Sequence, residues 1–129
     1  MALCFFACAT GQVHIPDDIS PAEIIQRAQD ALDRNRYGIA LQYYRALLER
    51  NIANDDIVSR GLVCEAEYGI AHIYYKQGKF AEAREKFNAL LERYAAPGGE
   101  ALPPHFRVLA VRVLELIEER ENRRFRFSG

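Results

Sequence analysis

Apolar residues recur along most of the chain with the spacing of α-helices. In the first clear helix they stand at Ile24, Ala28 and Ala31, where three- and four-residue steps keep them on one face. Ser20 can cap this helix, and Glu23 can reach back to the cap. No segment alternates apolar and polar residues as a half-buried strand would. The pattern therefore predicts an all-α chain of about five helices.

Turn residues set the limits of these helices. Asn35 and Gly78 each end one, since both residue types tolerate the left-handed conformation that closes many helices. The predicted helices span residues 20–35, 37–50, 56–77, 80–94 and 104–121. Residues 13–19 indicate a linker, and the residues after 122 indicate a basic tail that frays. The fifth helix has an apolar stripe for burial: Phe106, Leu109, Val113, Leu114 and Ile117.

The sequence matches itself after a shift of 43 residues. The segment Ala46 to Arg50 is identical to Ala89 to Arg93, and Ala40 falls on Ala83. Aromatic residues also correspond: Tyr37 with Phe80, and Tyr44 with Phe87. Each copy contains a helix, a short turn and a second helix, so the repeating unit is a helix pair.

The second copy resembles a tetratricopeptide repeat (TPR). The match lies in Tyr74 to Ala83 followed by Phe87, with a glycine at the turn, an aromatic residue two positions later and an alanine after three more. Ala71 stands where that family has its small residue in the first helix. The helix tryptophan of the family is absent from both copies, and the period exceeds the family's period of about 34 residues, which implies extra helical turns around residues 52–63.

The resemblance implies antiparallel helix-hairpin repeats with a C-terminal capping helix. The repeats would span about 21–54 and 64–97, and the capping helix about 104–121. Together they form a helical domain over residues 20–122, preceded by an apolar segment and linker at 1–19 and followed by a tail at 123–129. The alanines would let two helices approach closely, and the aromatic residues would fill the space beside them.

In TPR proteins, the first helices of each pair line a concave groove that binds a partner peptide. Carried over position by position, this groove would contain Ile25, Gln29 and Leu32 in copy one, and Glu65, Tyr68, His72 and Tyr75 in copy two. The last three residues share one helical stripe, because they are spaced i, i+4, i+7. Aromatic residues are favoured anchors at interfaces. The alternative is that the stripe packs against the first repeat or the fifth helix.

Composition and motifs favour binding over catalysis. The chain has 17 basic and 18 acidic residues, so nothing draws it as a whole to nucleic acid or an anionic membrane. It contains no phosphate-cradling, nucleophile-elbow or metalloprotease motif. Its three histidines are far apart and have no ligand-spaced partners. We therefore predict that the chain is not an enzyme and has no catalytic residues, metal or cofactor.

The N-terminus allows two interpretations. Phe5 to Cys8 is followed by polar residues, which resembles the end of a bacterial lipoprotein signal whose cysteine becomes lipidated. In that case the start codon would lie upstream, Cys8 would anchor the chain to a membrane, and the protein would belong to the cell envelope. Otherwise the segment is a frayed apolar terminus and the protein is cytoplasmic.

The sequence thus predicts a scaffold or adaptor that binds another protein through a TPR-like groove. One alternative is an envelope lipoprotein whose TPR domain assists the assembly of envelope proteins. Another is a homo-oligomerisation module, because two repeats are fewer than the three that usually stabilise such an array.

Overall fold

Within residues 11–127, five α-helices follow one another, and each packs against the next in antiparallel hairpins. The computed structural model describes residues 11–127, so Cys8 and the rest of the predicted N-terminal segment up to residue 10 lie outside the described residues. The helices are α1 (Pro21–Asp33), α2 (Tyr37–Asn51), α3 (Ile57–Lys76), α4 (Phe80–Ala95) and α5 (Pro104–Phe127). A short 3₁₀ turn, Gly99–Ala101, joins α4 to α5. The predicted all-α repeat fold is confirmed.

Local signals placed most of the helix ends correctly. The Ser20 hydroxyl accepts a hydrogen bond from the backbone N–H of Glu23, and Asp56 caps α3 by accepting from Ser59. Asn35 and Gly78 have left-handed backbones, with φ of 56° and 78°. The predicted return contact of Glu23 to the cap was wrong, because its carboxylate pairs with the Arg27 guanidinium at 2.6 Å. Arg27, one helical turn later, thus binds the Glu23 carboxylate in place of the backbone N–H of Ser20.

The end of α5 differs from the prediction. We expected the helix to stop near Glu121 and the following residues to fray, but the helix continues to Phe127. Arg120 lies over the rings of Tyr75 and Phe80, at 5.8 and 5.5 Å from their centroids. Arg84 pairs with Glu121. These contacts hold the last third of α5 on α3 and α4, so the residues after Glu121 extend a helix that is already anchored.

The buried side chains form two clusters that share α3. The first contains residues of α1, α2 and α3, and the second contains residues of α3, α4, the 3₁₀ turn and α5. Ala40 and Ala83 are fully buried, as expected for positions of close helix approach. Tyr44 and Phe87 are buried beside them, whereas Tyr37 and Phe80 are only half-buried. Because both clusters use α3, this helix is the central element on which the two hairpins pack.

The segment predicted to be a linker lies along α2. Gln42 accepts from the backbone N–H of Val13 at 2.8 Å and donates to the carbonyl of Gly11 at 3.1 Å. Arg50 donates to the carbonyls of Ile15 and Pro16. Three apolar side chains of the segment also pack against the first cluster: Val13, Ile15 and Ile19. The segment has no helix, but it is part of the packed unit.

Candidate partner-binding groove

The predicted groove residues of the first repeat lie on α1 and differ in their exposure. Ile25 and Leu32 are half-buried against the first cluster, whereas Gln29 between them is exposed. No hydrogen bond or ion pair joins these three residues to the predicted groove residues of α3 within residues 11–127. The α1 part of the groove is therefore an amphipathic edge with one polar group at its centre.

The predicted groove residues of α3 form a column of stacked rings. The ring centroids of Tyr68 and His72 are 5.7 Å apart with planes 12° from parallel. His72 and Tyr75 are 6.1 Å apart with planes 28° from parallel. The i, i+4, i+7 spacing produces this arrangement, because it places successive side chains above one another on one helix face. We call Tyr68, His72 and Tyr75 the aromatic column.

One side of the aromatic column is packed against neighbouring helices. The Tyr68 ring lies 5.8 Å from Phe87 of α4 and 5.7 Å from Phe106 of α5. The Tyr75 ring lies 5.8 Å from Phe80. Packing against the fifth helix, the alternative to a partner-binding role, is thus present for Tyr68, yet all three rings remain half-buried. A partner could reach only the edges that these contacts leave open.

Glu65 stands one turn before Tyr68 and is half-buried. No basic side chain lies within 4.0 Å of its carboxylate in the described part of the chain. Burial raises the pKa of Glu65, and the charge of nearby His105 partly offsets this effect. Behind it, burial raises the pKa of Tyr44 to about 12, with a smaller contribution from the Glu65 charge. Glu65 is therefore a partly desolvated acid that the groove leaves unpaired.

The fifth helix adds a stripe that the sequence analysis missed. His105 and Arg120 both approach α3, the first through its charge on Glu65 and the second through its contact with Tyr75. Steps of three and four residues place further side chains on the same flank of α5. This α5 stripe comprises His105, Leu109, Arg112, Leu116 and Arg120.

Leu109 was wrongly predicted to be buried. Its side chain is 43% exposed, and Ala110 occupies the buried position instead. The core face of α5 contains Phe106, Ala110, Val113 and Ile117, in steps of four, three and four residues. This spacing was present in the sequence. Alanine, however, occurs on both buried and exposed helix faces, so its residue type alone did not indicate that Ala110 is buried.

His72 provides a pH test of how deeply the column is packed. Burial, followed by the charge of Lys76, lowers the pKa of His72 in the folded protein. The unfolded chain therefore binds this proton more readily, and the free energy of unfolding should decrease as pH falls below about 6.5. Urea denaturation at about pH 7.5 and about pH 5.5 measures this decrease. We expect His72→Gln to reduce it.

The control for this test is His14→Gln, because the His14 side chain is exposed and does not act on Glu65 or His72. The raised pKa of Glu65 acts in the opposite direction at lower pH, but it is common to all the proteins compared. An equal pH dependence in wild type and His72→Gln would mean that His72 is solvated and that the column is packed more loosely than described.

Outside the groove, the described residues contain neither a metal-binding cluster nor a membrane-spanning helix. Residues 11–127 contain no group of three or more histidine, cysteine, aspartate or glutamate side chains placed to hold a metal ion. A cavity of about 190 Å³ lies beside buried Cys64 and Arg93, but the Arg93 guanidinium is already paired with Glu67. No described helix is long and apolar enough to cross a membrane.

Comparison with known proteins identifies a relative of unknown role. The chain matches no protein-family model and no solved structure. It is 31% identical over 108 residues to an uncharacterized protein of Treponema pallidum (strain Nichols). The match covers 82% of this chain but 41% of that protein, so the chain spans less than half the length of its relative.

Proposed function

We propose that this domain is a TPR-like module that binds a segment of another protein between α1, α3 and α5. The observation that carries the proposal is the aromatic column, whose three stacked rings stay half-buried on α3. Interfaces commonly use such half-exposed tyrosines, because they combine a large apolar ring with a polar hydroxyl. Leu109 is exposed on α5, which packs against α3, and Gln29 is exposed on α1.

Packing at the repeat positions supports the TPR part of the proposal. Ala71, Ala83 and Phe87 are fully buried, and Gly78 adopts the left-handed backbone of a tight turn. These are the positions on which the sequence resemblance depends. Small residues at helix contacts and a turn glycine are what the close approach of paired helices requires.

The composition of the groove indicates the kind of segment that fits. Some TPR domains hold a C-terminal carboxylate with lysine and asparagine, but the corresponding positions here are Ile25, Gln29, Tyr68 and His72. A free carboxylate would also lie close to the unpaired acid Glu65. Apolar and aromatic surface suits an amphipathic helix or an extended segment with apolar anchors. A segment with a basic side chain would also pair with Glu65.

The test uses two neighbouring residues of α5 that face different directions. Leu109 lies on the α5 stripe, whereas Val108 is 66% exposed on the outer face. The immobilised full chain would first capture a partner from cells that express it, and affinity would then be measured with the purified partner. We expect Leu109→Glu to weaken binding by more than about tenfold, because it places a charge in an apolar contact. Val108→Glu should leave affinity unchanged.

The matched pair distinguishes the groove from the other surfaces. Both substitutions add one negative charge to an exposed position of α5, so neither should disturb the core. If Val108→Glu abolished binding while Leu109→Glu did not, the interface would lie on the outer face of α5, and the groove proposal would be overturned. A concentration-dependent dimer that only Leu109→Glu disrupts would identify the partner as a second copy of the chain.

A further inference from the structure

Three basic side chains converge on Tyr74, on the side of α3 away from the aromatic column. Arg45 of α2 donates a hydrogen bond to the Tyr74 hydroxyl at 3.2 Å. The ammonium groups of Lys79 and Lys86 lie 5.5 and 5.3 Å from the centre of its ring. Residues from two helices and from the turn before α4 thus surround one aromatic ring. We call Arg45, Lys79 and Lys86 the basic patch.

The basic patch has no acidic partner in the part of the chain that the structure describes. No carboxylate of residues 11–127 lies within 4.0 Å of any of its three cations. Glu82 stands four residues before Lys86 on α4 and still forms no such pair. Three cations without a carboxylate partner around one ring attract a negatively charged group. The arrangement is therefore suited to an external negative group.

An apolar pocket adjoins the basic patch. It has a volume of about 140 Å³ and lies over α3 between α2 and α4, with Leu48, Ile70 and Ala89 as its apolar lining. Its polar lining is Lys86 and Glu67, and the Glu67 carboxylate is already paired with Arg93. Lys86 lines the pocket as well as the patch, so the two are continuous. Ile70 precedes Tyr74 by one helical turn, a distance of about 6 Å.

We propose that the surface between α2 and α4 binds an acidic protein segment. Carboxylates of the segment would pair with Arg45, Lys79 and Lys86, and an apolar side chain would enter the pocket at Ile70. Two residues of an extended chain span about 7 Å, which matches the separation of pocket and patch. A protein segment fits better than nucleic acid, because three cations beside an apolar pocket offer no track for a phosphate backbone.

This second site is separate from the groove of the proposed function. Glu67, Ile70 and Tyr74 follow one face of α3, whereas Tyr68, His72 and Tyr75 follow another. At 100° per residue, the centres of these two faces are well over 90° apart. Substitutions in the basic patch should therefore leave binding in the groove intact.

The experiment measures binding of a short fluorescein-labelled peptide of glutamates and leucines to the full chain by anisotropy. The patch variant combines Arg45→Gln, Lys79→Gln and Lys86→Gln. Its control combines Arg34→Gln, Arg36→Gln and Arg123→Gln, which remove the same charge from exposed residues elsewhere. We expect the patch variant to lose at least about tenfold in affinity and the control less than about twofold. Binding should weaken at high salt.

A second pair of variants tests the pocket without changing charge. Ala89→Gln would fill the pocket and should weaken binding several-fold, whereas Ala95→Gln at the end of α4 should have no effect. Equal losses of peptide affinity in the patch variant and its control would show that binding depends only on net charge, and would overturn the proposal. So would a single-stranded DNA oligonucleotide that binds as tightly as the peptide. Unchanged affinity for Ala89→Gln would remove the pocket from the site.

Discussion

Phe87→Ala is expected to lower the free energy of unfolding by about 3–5 kcal/mol, the usual range for removing a buried aromatic ring. Phe87 is fully buried in the second cluster, and its ring lies 5.8 Å from that of Tyr68. Removing it would open a cavity where α3, α4 and α5 meet, and their backbones cannot collapse into it without losing other contacts. Because whole domains are stable by only about 5–15 kcal/mol, this one change would remove a large share.

Urea denaturation followed by circular dichroism measures this loss from the transition midpoint. Phe127→Ala is the matched control, because the Phe127 side chain is 88% exposed and the same atoms are removed. We expect the control to change stability by less than about 0.5 kcal/mol. A loss below about 1 kcal/mol for Phe87→Ala would mean that the second cluster is loosely packed and that α5 does not cap the array as described.

Features determined by neighbouring residues in the sequence were predictable. Asn35 and Gly78 end their helices because the left-handed backbone depends on the residue itself. The stacking of Tyr68 on His72 follows from their spacing on one helix, so it also could be predicted. The internal repeat then indicated which helices form pairs. No distant contact was needed for any of these conclusions.

Features determined by distant contacts were not predictable. Which flank of α5 is buried depends on the angle at which it meets α3 and α4, and helical periodicity alone placed Leu109 on the wrong side. The binding of residues 11–16 along α2 uses backbone groups held by Gln42 and Arg50. Every residue carries such backbone groups, so no side-chain pattern signals the contact. In the second site, Arg45 of the basic patch bonds to Tyr74, 29 positions later, and only the fold brings the two residues together.

Two glycines of α3 are expected to respond in opposite directions to the same substitution. Gly69→Ala should lower the free energy of unfolding by about 1–3 kcal/mol, because a Cβ atom there would lie 2.7 Å from the Tyr44 ring. Tyr44 is itself buried, so its ring cannot move aside without displacing other core residues. At Gly61 the nearest atom would be Pro103 Cγ at 3.4 Å, an ordinary contact.

Gly61→Ala should therefore raise the free energy of unfolding by about 0.5–1 kcal/mol, since alanine loses less backbone freedom than glycine in a helix. Both substitutions gain this backbone stabilisation, but only Gly69→Ala also introduces the steric clash with the Tyr44 ring. Tyr44→Leu separates the two effects, because it removes the ring that the new methyl group would meet. In that background, Gly69→Ala should become stabilising, and the coupling between the two positions should exceed about 1 kcal/mol in a double-mutant cycle. Additive effects would show that α2 and α3 approach less closely at Gly69, and that the glycine is not required by packing against Tyr44.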